Sequence, residues 1–199
     1  MKDFYTAIKD RRSHYGLSKE VKVSDQRIKE VIEHSVVHTP TAFNSQSGRV
    51  VVLLKKDHDK LWELTESVLK KIVPETQFQA TKDKMDAFKA AYGTVLFFED
   101  QEIVTGLQEQ FPLYKDNFPV WSNQASGMLQ YNVWTSLEVE GLGASLQHYN
   151  ELIEELVKKE WAIDSKWTLM SQMPFGNPVG ELSAKEIKPV EDRLLTFGA

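Results

Sequence analysis

The chain contains no cysteine, no long apolar run and no excess of positive charge. Without cysteine among its 199 residues it has no disulfide framework, no thiolate nucleophile and no cysteine-ligated metal. A net charge of −5 argues against a nucleic-acid partner, which usually requires a basic surface. No stretch approaches the roughly 18 apolar residues of a membrane span, and the N-terminus lacks the apolar core of a secretory signal. We therefore expect a cytoplasmic protein with neither a membrane nor a nucleic acid as partner.

The chain does contain helical and strand-like patterns in alternation. Apolar spacing predicts helices over 3–12, from Ser24 to Pro40, from Asp57 to Pro74, and over 82–91, 120–140 and 151–161. Continuous β-favouring runs predict buried strands at 50–54 and 93–98, and a third strand at 166–171. Beyond Met173 the chain is rich in proline and glycine, which indicates an extended tail. The order is typical of an α+β or α/β sandwich, and we expect one domain over residues 1–199.

Arg11, Arg12 and Ser13 follow the first predicted helix. Guanidinium groups match phosphate oxygens bidentately, so these residues are candidates for a phosphate site. The alternative is two solvated arginines at a helix C-terminus, which the helix dipole favours.

Asn44 and Gln46 lie in the loop that joins the second helix to the first long strand. If this loop is extended, the two carboxamides point the same way and offer donors and acceptors for the edge of a heterocycle. The alternative is ordinary turn chemistry, since Asn, Ser and Gly favour loops for local reasons.

Gly141 and Gly143 separate the most apolar helix from a short turn that contains His148 and Tyr149. Glycine permits a positive φ or the close approach of another group, and the backbone N–H groups of the turn are candidates to face a ligand. This G-x-G is not the dinucleotide fingerprint, because no strand precedes it. His148 is also a candidate catalytic base.

No metal site is expected, because the other four histidines show no ligand spacing with a third group (His14, His34, His38 and His58). Four aromatic residues around two prolines either form a roof over a planar ligand or belong to the core (Phe111, Tyr114, Phe118 and Trp121).

Taken in order, four segments resemble the FMN-dependent nitroreductase family, and are most similar to its short, cysteine-free, yeast-type branch. They are Arg11–Ser13, Phe43–Gln46, Ala91–Asp100 and Gly141–Asn150. The resemblance implies an α+β fold, a three-layer sandwich with a central, mostly antiparallel sheet, in which two chains interlock as a homodimer. It also implies two FMN sites at their interface.

The resemblance assigns roles to ten residues of the cofactor site. Arg11 and Arg193 would hold the FMN phosphate with Ser13 beside it, and Arg12 would lie near the pyrimidine or ribityl portion. Asn44 and Gln46 would reach across from the partner chain. The backbone N–H of His148 or Tyr149, next to Gln147, would face flavin N5, so that no side chain need be catalytic. Lys89 is the candidate for a lysine that balances charge at N1.

Two departures from the family pattern are visible. Many members end with Lys-x-Arg, whereas Glu191 stands two residues before Arg193, and Arg12, Lys185 or Lys188 would have to replace that lysine. The frequent Asn-x-Gln-Pro-Trp loop is Asn-Ser-Gln-Ser-Gly over 44–48. The expected activity is ping-pong transfer of hydride from NAD(P)H, through flavin N5, to a nitroaromatic, quinone or similar flat acceptor. A flavin-binding storage or redox-sensing protein with little turnover is the alternative.

Overall fold

The computed structural model describes residues 2–198, which form helices around one sheet. Within these residues the helices are α1 (Phe4–Asp10), α2 (Asp25–His38), α3 (Lys56–Ile72), α4 (Phe78–Lys89), α5 (Gln101–Gln110), α6 (Phe118–Val139) and α7 (Asn150–Trp161). The strands are β1 (Leu17–Ser18), β2 (Gly48–Leu54), β3 (Gly93–Asp100), β4 (Gly143–Ala144) and β5 (Trp167–Pro178).

The sheet has the order β1-β5-β3-β2, with β4 pairing with β5 off this path. Every strand pair is antiparallel. β3 is buried along its whole length, because it lies between β2 and β5 and is covered on both faces.

Two apolar clusters cover the two faces of the sheet. On one face, Ile28 of α2 and Val133 of α6 pack with Phe97 and Phe175 of the sheet. On the other, Trp62 of α3, Phe88 of α4 and Val157 of α7 pack with alternate residues of the same strands. Successive strand residues point to opposite faces, so one sheet serves both clusters. The predicted α+β, three-layer sandwich with an antiparallel sheet is confirmed.

Local chemistry sets several boundaries where the sequence predicts them. Ser24 begins α2, and its Oγ accepts from the Arg27 N–H at 3.2 Å. Gly141 follows α6 with φ +79°, the left-handed conformation that glycine adopts without a steric penalty.

The prediction that residues 50–54 form a strand inside the sheet was wrong. Among the described residues β2 pairs with β3 alone, so it is an edge strand, and most of its residues are only half-buried. Its continuous apolar run has another cause: α2 and α6 contact it on one face and α3 on the other.

Other elements also differ from the predictions: α4 covers Phe78–Lys89 and not 82–91. α3 begins after Lys55 and not at Asp57, which lies in its first turn and accepts from the Trp161 indole N–H at 3.1 Å. β5 continues to Pro178 instead of ending at Ser171, so the tail begins later than predicted. The sequence reasoning missed α5, whose N-cap is Asp100.

Candidate functional site

The guanidinium group of Arg11 lies over two aromatic rings of α6. Its guanidinium carbon lies 4.5 Å from the ring centroid of Trp134 and 5.7 Å from that of Tyr131. Stacking on an aromatic face fixes the plane of a guanidinium group while leaving its N–H groups free to donate. Arg11 Nε and Trp134 Nε1 are both buried, and neither has a hydrogen-bond partner within residues 2–198.

Ser13 connects the arginine pair to the glycine-containing segment. It forms a parallel bridge with Ala144, and the next residue, His14, donates its N–H to the Ala144 carbonyl at 2.9 Å. The structure therefore brings together two predicted site segments that are about 130 residues apart in sequence.

Gly143 is required by close packing inside its own chain. A Cβ at this position would lie 2.9 Å from His14 Cγ and 3.0 Å from Pro178 Cγ, which is too close for a carbon contact. The groups that approach Gly143 within the chain are thus the side chains of His14 and Pro178.

The turn after β4 leaves the backbone N–H of His148 without a hydrogen bond in the described chain. Gln147 bridges to Gln172 in both directions, at 2.7 and 2.9 Å, and the Tyr149 N–H donates to Gln172 Oε1 at 2.8 Å. The N–H of His148 makes no hydrogen bond within the described chain, and its side chain is exposed. Of the two predicted donors, Tyr149 is therefore already engaged and His148 is available.

The loop that carries Asn44 and Gln46 is not extended, contrary to the prediction. Phe43, Asn44 and Gln46 all adopt a positive φ of 49–56°, which is uncommon outside glycine. Thr41 holds the loop: its carbonyl accepts from the Asn44 N–H and its Oγ1 from the Gln46 N–H, both at 3.0 Å. Clusters of such conformations occur at binding sites, where the surrounding structure imposes them.

Asn44 and Gln46 nevertheless line the same cavity, of about 340 Å³. This cavity contacts Ala125 and Leu129 near the middle of α6, whereas Arg11 packs on Trp134 closer to its C-terminal end. From Leu129 to Trp134 the helix rises about 8 Å. In one chain, the carboxamide pair and the arginine therefore lie at different places along α6.

Arg12 and Arg193 are both associated with the tail after β5. Arg12 Nη2 donates to the Ser183 carbonyl at 3.1 Å, and Arg193 Nη2 donates to the Lys188 carbonyl at 3.1 Å. Arg193 is exposed, as is most of the tail. The described chain does not bring Arg193 into contact with Arg11.

Within the described chain, Lys89 does not lie near the other candidate site residues. Lys89 ends α4 and pairs with Glu63 of α3, on the sheet face opposite to α6. Its backbone carbonyl lies 3.2 Å from His58 Nε2. The family resemblance did not specify how α4 packs, so it could not predict where the Lys89 side chain lies.

The four predicted roof aromatics lie around Phe43, which the sequence reasoning did not include among them. The ring centroids of the other four lie 4.9–5.9 Å from that of Phe43, and the Phe43 and Trp121 rings are nearly parallel. We call these five residues the aromatic cluster (Phe43, Phe111, Tyr114, Phe118 and Trp121). Phe118 is buried, whereas Phe43 is 48% exposed. The cluster is partly core and partly an aromatic surface.

Sequence reasoning missed two functional candidates, Trp134 as the platform for Arg11 and Glu99 as a buried acid. Trp134 was interpreted only as core, and Glu99 stood inside a strand motif with no visible reason to face a cavity. No periodicity signal could have identified either role. Within residues 2–198 there is no group of three or more potential metal ligands, and no helix of that part is long and apolar enough to cross a membrane.

Comparison with known proteins gives a consistent result. Residues 8–177 match the model of the Nitroreductase family. Nitroreductase FRM2 of Saccharomyces cerevisiae is 33% identical over 178 residues, which are 88% of each chain.

Solved structures match over nearly the whole chain. Nitroreductase CinD of Lactococcus lactis in complex with chloramphenicol is 45% identical, with a TM-score of 0.89 over 98% of this chain and 99% of that one. A Desulfovibrio desulfuricans protein in complex with FMN has a TM-score of 0.69 over 98% and 97% of the two chains, and at 20% identity it supports the fold alone.

Proposed function

The chain belongs to the nitroreductase family and is an oxidoreductase, and on that premise we propose that it binds FMN at sites formed by two copies of the chain. Bound FMN would supply the redox chemistry, accepting hydride from NAD(P)H and returning it to a nitroaromatic, quinone or similar flat acceptor in a ping-pong cycle. The protein would bind the cofactor, set its electrostatic environment and orient the substrate against its ring.

The observation that carries the proposal is the pair of orphaned donors at Arg11 and Trp134. Buried N–H groups are nearly always hydrogen-bonded, so two of them on stacked side chains indicate a missing acceptor. A phosphate group fits this donor set, because it supplies several acceptor oxygens and its charge suits the guanidinium. Ser13 follows Arg11 by two residues and adds a hydroxyl. The residues present therefore fit the phosphate end of FMN.

The remaining assigned residues would act at other parts of the cofactor. The free N–H of His148 would donate to the ring at N5, with Gln147 and Tyr149 fixing the turn through Gln172. Arg12 and Arg193 would bring positive charge from the tail. Asn44 and Gln46 would contact the cofactor held by the other copy, which explains why a single chain keeps them apart from Arg11.

A homodimer is supported by exposed apolar side chains on several elements. They are Phe4 and Tyr5 of α1, Val37 of α2, Val120 and Met128 of α6, and Leu195 and Phe197 of the tail. Because α1 and α2 both contact α6, the first five of these side chains lie on adjoining elements, and contiguous exposed apolar surface marks interaction sites.

The proposed function is tested by anaerobic spectroscopy. The FMN-loaded protein is mixed with NADH or NADPH, and the flavin absorption band is followed; rapid bleaching, reversed by a nitroaromatic, is expected. A band that persists would favour the alternative, a flavin-binding protein with little turnover in which the aromatic cluster around Phe43 covers the ring. A colourless protein that takes up no added FMN would overturn both.

A further inference from the structure

Gln172 of β5 holds the turn after β4 with both its backbone and its side chain. Its backbone bonds Gln147 in both directions, at 2.7 and 2.9 Å, and its Oε1 accepts from the Tyr149 N–H at 2.8 Å. Its Nε2 donates to Asn150 Oδ1 at 2.7 Å. Four hydrogen bonds to one residue therefore fix the backbone on both sides of His148.

The Gln172 side chain is itself firmly held. It is fully buried, and both ends of its carboxamide are bonded, so it cannot turn without leaving a buried polar group unpaired. Asn150, the first residue of α7, also donates from Nδ2 to the Met170 carbonyl at 2.7 Å. The start of α7 and the turn before it are thus tied to β5 as one unit.

The backbone pattern directs the His148 N–H away from β5. In an antiparallel pair alternate residues bond the partner strand, and the residues between them point to the opposite edge. Gln147 both donates to β5 and accepts from it, so the N–H of His148 faces the other edge. At that edge Ala144 bridges Ser13, which the proposed function places at the FMN phosphate.

Gln172 also determines which of two adjacent N–H groups is left for a ligand. The Tyr149 N–H follows that of His148 directly, and Gln172 Oε1 accepts it. The Tyr149 ring packs edge-on against Trp62 of α3, with the ring centroids 6.3 Å apart, which holds this residue toward the core. Without the carboxamide, the Tyr149 N–H would compete with its neighbour.

We propose that Gln172 is a positioning residue for flavin reduction: its carboxamide binds the Tyr149 N–H and holds the turn so that the His148 N–H is aimed at flavin N5. The proposal rests on the proposed function, because it requires FMN with N5 at this turn. It adds to that function the residue that orients the donor. Since Gln172 is fully buried, it acts through the turn and not by contact with the cofactor.

Gln172→Met tests the proposal, because methionine has a similar length but cannot replace the carboxamide hydrogen bonds. The variant is loaded with FMN that carries ¹⁵N at N5, and the N5 resonance should move to higher frequency, since its lone pair loses a fixed donor. The limiting rate of flavin reduction by NADH or NADPH should fall about tenfold, the effect of one hydrogen bond. The FMN dissociation constant should not change, because Arg11 and Ser13 still hold the phosphate.

Gln130→Met is the matched control. Gln130 Oε1 accepts from Ser171 Oγ at 2.9 Å, and its Nε2 donates to Ser126 Oγ at 3.0 Å. The control therefore loses two side-chain hydrogen bonds beside Gln172, as the test variant does, but none to the turn. It should lose similar stability in urea and keep both the N5 resonance and the limiting rate.

Asn150→Ala is a second test, because it releases the Nε2 end of the Gln172 carboxamide while keeping Gln172 itself. It should change the N5 resonance and the limiting rate in the same direction by a smaller amount. If Gln172→Met does not fold, Asn150→Ala decides. Values equal to those of the unmodified protein, or changed no more than in Gln130→Met, would overturn the proposal.

Failure of the proposed function has a different result. An unmodified protein that binds FMN but is reduced by neither NADH nor NADPH contradicts that function alone, and the N5 resonance of the variants then decides the role of Gln172. An unmodified protein that takes up no FMN overturns both.

Discussion

Arg11 and Trp134 are stacked, with the guanidinium carbon 4.5 Å from the indole centroid, and this contact joins the end of α1 to the second half of α6. The indole is buried, so the arginine is held over a surface that cannot move without disturbing the core. The position of the candidate phosphate-binding group is thereby coupled to the packing of the longest helix.

Trp134→Ala should therefore affect both stability and cofactor retention. Removing a buried indole should lower the free energy of unfolding by about 3–5 kcal/mol. Arg11 would also lose the ring that fixes its plane, so FMN should dissociate more readily. Urea unfolding and FMN titration measure the two effects, and a variant as stable as the unmodified protein would contradict the assignment of Trp134 to the core. Tyr131→Leu, at a more exposed ring, is the milder control.

Arg193→Ala should weaken FMN binding without changing the stability of the flavin-free protein. Arg193 is exposed, and its one side-chain hydrogen bond in the described chain is to the Lys188 carbonyl, so its removal disturbs little packing. Fluorescence titration with FMN and thermal unfolding are the measurements. Lys185→Ala on the same tail tests the alternative phosphate-binding cation. If Lys185 and not Arg193 proves necessary, the phosphate assignment moves to that lysine.

His148→Ala should retain most activity, because the proposed donor is the backbone N–H and not the imidazole. His148→Pro removes that N–H and should slow flavin reduction by NADPH while FMN stays bound. Stopped-flow reduction of the two variants, compared at equal FMN content, distinguishes the roles. Near-complete loss in His148→Ala with FMN bound would show that the side chain is the active group.

His58 should make stability fall in mild acid. Its side chain is fully buried, with Nδ1 2.9 Å from Thr94 Oγ1, and burial lowers its pKa from 6.5 to about 4. Below pH 6.5 the unfolded chain takes up a proton that the folded chain refuses, so the stabilisation present at pH 7 is lost as the pH falls toward 4. The difference amounts to about 3 kcal/mol.

Urea unfolding of His58→Gln between pH 7 and pH 4 checks this expectation. The variant should lose some stability at pH 7 but show a shallower decline toward pH 4. His34→Gln, at an exposed position, should decline as the unmodified protein does. An identical pH profile for the His58 variant would refute the assignment.

The sequence predicted those parts of the fold that local chemistry determines. Ser24 and Gly141 act through their own hydrogen bonding and backbone freedom, and both boundaries were found where they were predicted. The edge position of β2 was not predictable, since helices on both faces make an edge strand as apolar as a central one. The length of β5 was hidden by its glycine and prolines.

The candidate site was predictable only as separate segments. The Ser13–Ala144 bridge brings two of them together, but no spacing in the sequence gives that pairing. Lys89 shows the limit of assignment by motif, because its partner Glu63 is determined by how α3 packs on α4. Glu99 was not identified for a related reason: its place beside Ser122 and in the wall of the cavity depends on how α6 packs on β3.

The left-handed residues of the loop over 41–47 have a further consequence. Hydrogen bonds with Thr41 and Arg49 fix this loop in a rarely populated backbone conformation without any ligand. Because the loop is already ordered, ligand binding should cost little conformational entropy there. Differences in affinity among ligands that contact this loop should then depend on the direct contacts they make with it. Crystal structures with chemically different ligands should superpose closely over these seven residues.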